Sequence, residues 1–149
     1  MQKDLFREII RYHVSGHMKV APEHLNDDVL KLMRKNPAQD FYVFKKFFEE
    51  ESKAAGKEQY LIPLFISNFP GCTAEKMKTV DDYLDAHNWS PQQVQDYIPL
   101  PMTMGAAMYY TGKAPDGTPI EVNRGLAERR PQIQVLKKRR SPQRNKKAR

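Results

Sequence analysis

Three short apolar runs, each set between stretches of helical periodicity, constrain this chain more than any other feature. His17 to Ala21 (HMKVA) leans apolar and should stop at Pro22. Tyr60 to Ile66 (YLIPLFI) is almost continuously apolar, and Val94 to Ile98 (VQDYI) alternates before Pro99 and Pro101 end it. An unbroken apolar strand suits a parallel sheet covered on both faces. Pro63 sits awkwardly in the middle run, because proline withholds a ladder donor. The order helix–strand–helix–helix–strand–helix–strand is α/β alternation, and its crossovers make the strands parallel. Three strands do not close a barrel, which takes about eight βα units in full form. The chain therefore reads as part of a larger fold.

The helices follow from spacing and punctuation. Phe6, Ile9, Ile10 and His13 share a face over residues 3–14, and Gly16 stops that helix. Asn26 predicts an N-cap with Asp27 and Asp28 in the first turn, and the helix ends before Pro37. Asp40 is expected to cap a longer helix to Ala55, with Phe41, Phe44, Phe47 and Phe48 as its buried stripe. That stripe is core and not a base-stacking platform, because its spacing is helical. A helix from Thr73 to His87 buries Met77, Val80 and Leu84. Ser90-Pro91-Gln92-Gln93 reads as a capping box that opens a short helical turn. A short helix spans Met104–Tyr110. From Thr111 the chain is turn-rich, and beyond Arg124 it shows little apolar periodicity, so residues 124–149 are expected to be disordered. The expected organisation is 1–110, 111–123 and 124–149.

Charge follows the same division. The 149 residues carry 25 Lys+Arg against 18 Asp+Glu, a net +7. Residues 124–149 hold 11 of those cations and the single acid Glu128, giving +10, which leaves the body at −3. No apolar run approaches the roughly 18 residues of a membrane span, and MQKDLFREII lacks the apolar stretch of a secretory signal. One cysteine rules out a disulfide framework and any cysteine-built metal centre from this chain alone. A reducing, cytoplasmic setting is expected.

Polar side chains gather where the three strands should end: Glu23 and His24 after the first, Ser67 and Asn68 after the second, Gln95 and Asp96 at the third. Ligands of parallel α/β folds bind at such ends. Strand-end loops are also polar simply because water surrounds them, so no one of these residues signals a site by itself.

The strings KVAPEHLNDDVLKLMRK, GKEQYLIPLFISNFPGCTAEKM and VQDYIPLPMTMGAAMYYTGKAPDGTPI resemble the YgiQ-type family of radical SAM proteins in order and spacing, over residues 3–123. The resemblance implies a partial TIM-like barrel, a [4Fe-4S] cluster and S-adenosylmethionine, whose reductive cleavage would yield a 5′-deoxyadenosyl radical. Lys19–His24, Tyr60–Gly71 and Val94–Thr103 resemble the fourth, fifth and sixth barrel strands with their loops. Glu23, His24, Ser67, Asn68, Gln95 and Asp96 become the cofactor-facing candidates. The departure is in the cysteines: the chemistry needs three thiolates, commonly C-x3-C-x2-C, and this chain has only Cys72. The expectation is thus a fragment of a radical SAM enzyme, inactive alone. Its open sheet edge would take up the missing cluster-bearing half or a second copy.

Other readings stand beside this one. Cys72 opens a helix, which can activate a thiol, but it reads first as an inert loop residue. His13 and His17 are four apart, yet Gly16 interrupts the helix between them, so no zinc pair is expected. Tyr109-Tyr110 could stack on a ligand or pack the terminal helix. The run KKRRSPQRNKKAR (Lys137–Arg149) suits weak, non-specific binding of RNA or DNA. A non-enzymatic nucleic-acid module is therefore the rival function.

Overall fold

The computed structural model describes residues 2–91 and 93–138. Helix α1 (Lys3–Glu8) runs on as a π-helical turn over Ile9–His13 and leads into strand β1 (His17–Glu23). The Asn26 side chain accepts the Val29 N–H at 3.3 Å and opens α2 (Asp27–Leu32). Next come α3 (Ala38–Ala54) and β2 (Tyr60–Ser67). Thr73 caps α4 (Ala74–Ala86) by accepting the Lys76 N–H at 3.1 Å. After the two-residue strand β3 (Gln95–Asp96), Thr103 caps α5 (Met104–Thr111) through the Ala106 N–H at 3.1 Å. Helix α6 (Leu126–Lys137) follows. Hydroxyl and amide caps recur because the first turn of a helix leaves N–H groups without intrahelical partners.

The strands form one parallel sheet in the order β1-β2-β3, as the alternation of elements predicts. Register decides which side chains share a face. Met18 pairs with Leu61, and Val20 with Pro63. These residues, with Phe65 and Ser67, form the face covered by helices. Phe65 and Leu61 join Val29, Leu30, Met77, Val80, Tyr83, Leu84 and Leu136 in the larger core cluster. A smaller cluster of Ile10, Val14, Phe47 and Phe48 docks the N-terminal helix on α3. Arg7 and Arg11 reinforce it by reaching Glu51 at 2.9 and 3.0 Å. On the second face, Lys19 and Ala21 are exposed, while Ile62, Leu64 and Ile66 are half-buried. Full coverage of both faces, expected from the apolar run, is therefore not met within these residues. Pro63 is accommodated beside Val20, the last regular pair before the β1 ladder shifts register between Val20 and Glu23.

Several boundaries differ from the sequence expectation. β1 does not stop at Pro22 but continues through the irregularity to Glu23, which takes φ +65. Asp40 is not the cap of α3. The helix starts at Ala38 behind Pro37, and the Asp27 carboxylate takes the Ala38 N–H at 2.8 Å from eleven residues away. No helical turn forms at Ser90, Pro91 or Gln93. The Ser90 hydroxyl donates instead to the Lys138 carbonyl at 3.3 Å, so it is not free to cap. Gln92 lies outside the described residues. β3 is two residues long rather than five.

The largest correction concerns residues 124–149. Within that stretch, 126–137 are helical, and α6 packs along α4 and onto β2. Its buried residues are Gln132 and Leu136, both 1% exposed. Glu128 accepts the Arg124 and Gly125 N–H groups at 2.9 and 3.1 Å, stabilising the helix start. Periodicity missed this helix because one of its two buried positions is a glutamine. Pro131 lies inside the helix, where proline withholds one intrahelical donor. Residues 139–149 lie outside the described residues.

Leu136→Ala should therefore cost about 2–4 kcal/mol in urea unfolding, as for other fully buried leucines. An undocked tail would show no change.

Candidate functional site

At the C-terminal ends of β2 and β3 the backbone leaves the ladder, so its polar groups need other partners. Ser67, the last residue of β2, pairs in register with Asp96, the last of β3. The Ser67 hydroxyl donates to Asp96 Oδ1 at 2.7 Å, and the Asn68 side-chain amide donates to the same oxygen at 2.7 Å. Arg129 closes on the other carboxylate oxygen, with Nε at 3.0 Å and Nη2 at 2.6 Å. Its Nη2 also donates to the Tyr97 carbonyl. A guanidinium gripping one carboxylate with two nitrogens fixes direction as well as charge.

Asn68 ties this node to α6. Its N–H donates to the Gln132 side-chain oxygen at 2.8 Å, and its Nδ2 donates to the Arg129 carbonyl at 3.1 Å. Asn123 donates to Asn68 Oδ1 at 3.0 Å. The Gln132 amide then donates to the Cys72 carbonyl at 2.6 Å. Asn68 occupies the left-handed region at φ +59, one of the few non-glycine types for which that conformation is cheap.

A second pair lies beside it. His24 Nδ1 accepts the Asn26 N–H at 2.9 Å, which leaves the ring proton of the neutral imidazole on Nε2. Nε2 lies 3.3 Å from Cys72 Sγ, and the thiol reaches the Thr73 carbonyl at 3.7 Å. Burial, helped by the nearby Lys76 charge, pushes the His24 pKa down to about 4. Burial pushes the Cys72 thiol up to about 12, against a smaller opposing pull from Lys76. Both groups are neutral near pH 7. This is not a thiolate–imidazolium couple, and Cys72 is inert packing.

The six residues singled out from sequence thus fall into three settings. Ser67, Asn68 and Asp96 meet, with their hydrogen-bonding capacity spent on one another and on α6. His24 is fully buried against Cys72. Glu23 turns to Lys35, 3.3 Å away. Gln95 pairs in register with Ile66, so it stands exposed on the second face of the sheet. Sequence reasoning missed Asn123, Arg129 and Gln132. The only hint was that Arg129 and Gln132 sit three apart, which puts them on one side of a helix the sequence did not announce.

This parallel α/β sheet with its polar strand ends has relatives of known sequence. The chain is 42% identical over 136 residues to a UPF0313 protein of Geobacter sulfurreducens, covering 91% of this chain and 22% of that protein. It is 47% identical over 108 residues to a UPF0313 protein of Porphyromonas gingivalis, covering 72% and 17%. It is 43% identical over 111 residues to the UPF0313 protein YgiQ of Salmonella typhimurium, covering 74% and 15%. Its homologues are thus UPF0313 proteins, YgiQ among them, and it matches their C-terminal region. The chain spans about a fifth of the length of these relatives. No protein-family model matches it. No solved structure matches it. Among the described residues no helix is long and apolar enough to cross a membrane.

Two measurements test the site. Asp96→Ala should cost about 2 kcal/mol in urea unfolding, because it strands a half-buried guanidinium and unpairs Ser67 and Asn68. Acid should also weaken the fold through His24. The unfolded chain protonates near pH 6.5 and the folded one only near 4, so this contribution is intact above 6.5 and lost as pH falls to 4. The loss should approach roughly 3 kcal/mol. In a pH series of unfolding curves, His24→Asn should flatten that slope.

Proposed function

We propose that this chain forms one wall of a radical SAM barrel whose iron–sulfur cluster is held by another polypeptide segment. One observation carries the reading. The parallel sheet presents a half-covered second face and a β1 edge that pairs only with β2 among the described residues, in a chain homologous to a fifth of much longer proteins. Parallel strands are ordinarily covered on both faces, so the remaining strands have a place to dock.

The cluster itself does not fit this chain. Cys72 is 1% exposed and already bonded to His24. The described residues contain no group of three His, Cys, Asp or Glu placed to hold a metal ion. The strand-end node is likewise closed to S-adenosylmethionine, because Asp96, Ser67 and Asn68 serve α6. No catalytic step is assigned to these residues. Gln95 is the one candidate exposed on the second face.

The test is co-expression with the cluster-bearing segment of a UPF0313 relative, such as that of Geobacter sulfurreducens. A one-to-one complex is expected, with the β1 amides that do not donate to β2 protected from hydrogen exchange in it and exchanging in the chain alone. S-adenosylmethionine should bind the complex and not the chain alone. Self-association through β1, or outward-facing β1 amides already protected in a monomer, would sink the proposal.

The rival reading rests on charge. Arg139, Arg140, Arg144, Lys146, Lys147 and Arg149 crowd the end of the sequence with no acid among them. The truncation that isolates them ends at Lys138, because ending at Asn123 would also remove α6. RNA affinity that falls steeply with salt in the full chain, and is lost in the 1–138 variant, would establish it.

A further inference from the structure

A cavity of about 300 Å³ opens beside the strand-end node, between the end of α2 and the loop that enters α5. Its walls are apolar: Leu32, Met33, Phe69, Tyr97, Leu100 and Met104. Phe69 and Tyr97 meet edge to face at 5.0 Å and form a rigid aromatic corner. The volume lies at the lower end of the roughly 300–1,000 Å³ usual for small-molecule pockets.

The lining contains one cation, Arg34, and no acid. Lys35 next to it is neutralised by Glu23 at 3.3 Å and bonded to the Ala21 carbonyl at 2.6 Å. Arg34 has no ion pair or side-chain hydrogen bond among the described residues. It also occupies the left-handed region, φ +56, just past the end of α2, where glycine or asparagine is the unstrained choice. Thr103, also in the lining, is committed: it donates to the Leu100 carbonyl at 2.8 Å and accepts from the Ala106 N–H at 3.1 Å. The Tyr97 hydroxyl is buried with no hydrogen-bond partner that meets ordinary geometry. Burial raises its pKa, and Thr103 nearby only partly offsets that.

An apolar corner whose lining holds one cation, without an ion pair among the described residues, complements an apolar body that carries a negative charge. We propose that this cavity binds an amphipathic anion, with an aromatic or branched apolar body against Phe69, Tyr97 and Leu100 and a carboxylate on the Arg34 guanidinium. This binding site does not depend on the barrel reading above, since every residue in it belongs to this chain.

The test uses the full chain, labelled with ¹⁵N, titrated with naphthalene-2-carboxylate and with its uncharged isostere naphthalene-2-carboxamide. Saturable shifts should centre on the amides of Phe69, Tyr97 and Gly105. The carboxylate should bind about tenfold more tightly than the carboxamide, as a charge-assisted contact requires. Arg34→Asn suits the left-handed backbone and should fold normally; it should bring the carboxylate down to the carboxamide's affinity. Gly105→Ala should weaken both probes, because its Cβ would lie 2.6 Å from Tyr97 Oη and push that ring into the cavity. Met102→Ser, at a fully exposed position outside the lining, should change neither. Equal affinity for the two probes, shifts centred elsewhere, no saturation, or an Arg34→Asn variant that still prefers the carboxylate would each overturn the proposal.

Discussion

Asn68 is 2% exposed, and four segments of the chain meet on it: the end of β2 that carries it, β3 through Asp96, the 111–123 connection through Asn123, and α6 through Gln132 and Arg129. A buried amide has no water to fall back on, so each of these contacts must be present or be missed at a cost. β3 contributes only two residues to the sheet, too few to hold itself by ladder bonds. What keeps it beside β2 is the carboxylate of Asp96, gripped from one side by Ser67 and Asn68 and from the other by Arg129. The same node fixes the start of α6, whose Leu136 then completes the larger core. Topology and core in this half of the molecule therefore depend on a polar cluster, with apolar packing filling in behind it.

That arrangement changes what the strand ends mean. Polar residues at the C-terminal ends of parallel strands usually face a ligand. Here three of the six, Ser67, Asn68 and Asp96, are bound to one another and to a helix. Ser67 and Asp96 share the covered side of the sheet, while Gln95 and Ile66, one residue earlier on each strand, share the other. The period of two along a strand is enough to send neighbouring candidates to opposite fates. His24 and Cys72 likewise look like catalytic types and behave as packing, because burial keeps both uncharged.

The elements carried by strong local signals were legible. The Asn26 cap, three of the four phenylalanines of the α3 stripe and the apolar run of β2 appear where spacing and punctuation place them, while Phe44 is only half-buried. The run predicted at Val94–Ile98 shrinks to Gln95–Asp96 because Tyr97 onward turns to join the Arg129 contact and the aromatic corner. The cap of α3 falls three residues before Asp40, at Pro37, since the first N–H of the helix is satisfied by Asp27, a partner no local rule can see. Ser90 looked like a cap and serves instead as a donor to the end of α6. Helix α6 was invisible for a related reason: its two fully buried positions are one leucine and one glutamine. A glutamine counts as polar until its partners, Asn68 and Cys72, are brought beside it.

By itself the sequence determined the α/β order, the parallel sense of the strands, the separation of an acidic body from a basic end, and the lack of thiolates for a cluster. These are properties of composition, period and connection length, and they need no knowledge of distant contacts. Tertiary structure alone decided which strand-end residues are bound to one another, that residues 126–137 belong to the folded body, and that Arg34 stands uncompensated beside an apolar cavity. The first two depend on groups tens of residues apart arriving within about 3 Å, the reach of a hydrogen bond, and the third on no acid arriving there; no local pattern encodes either outcome.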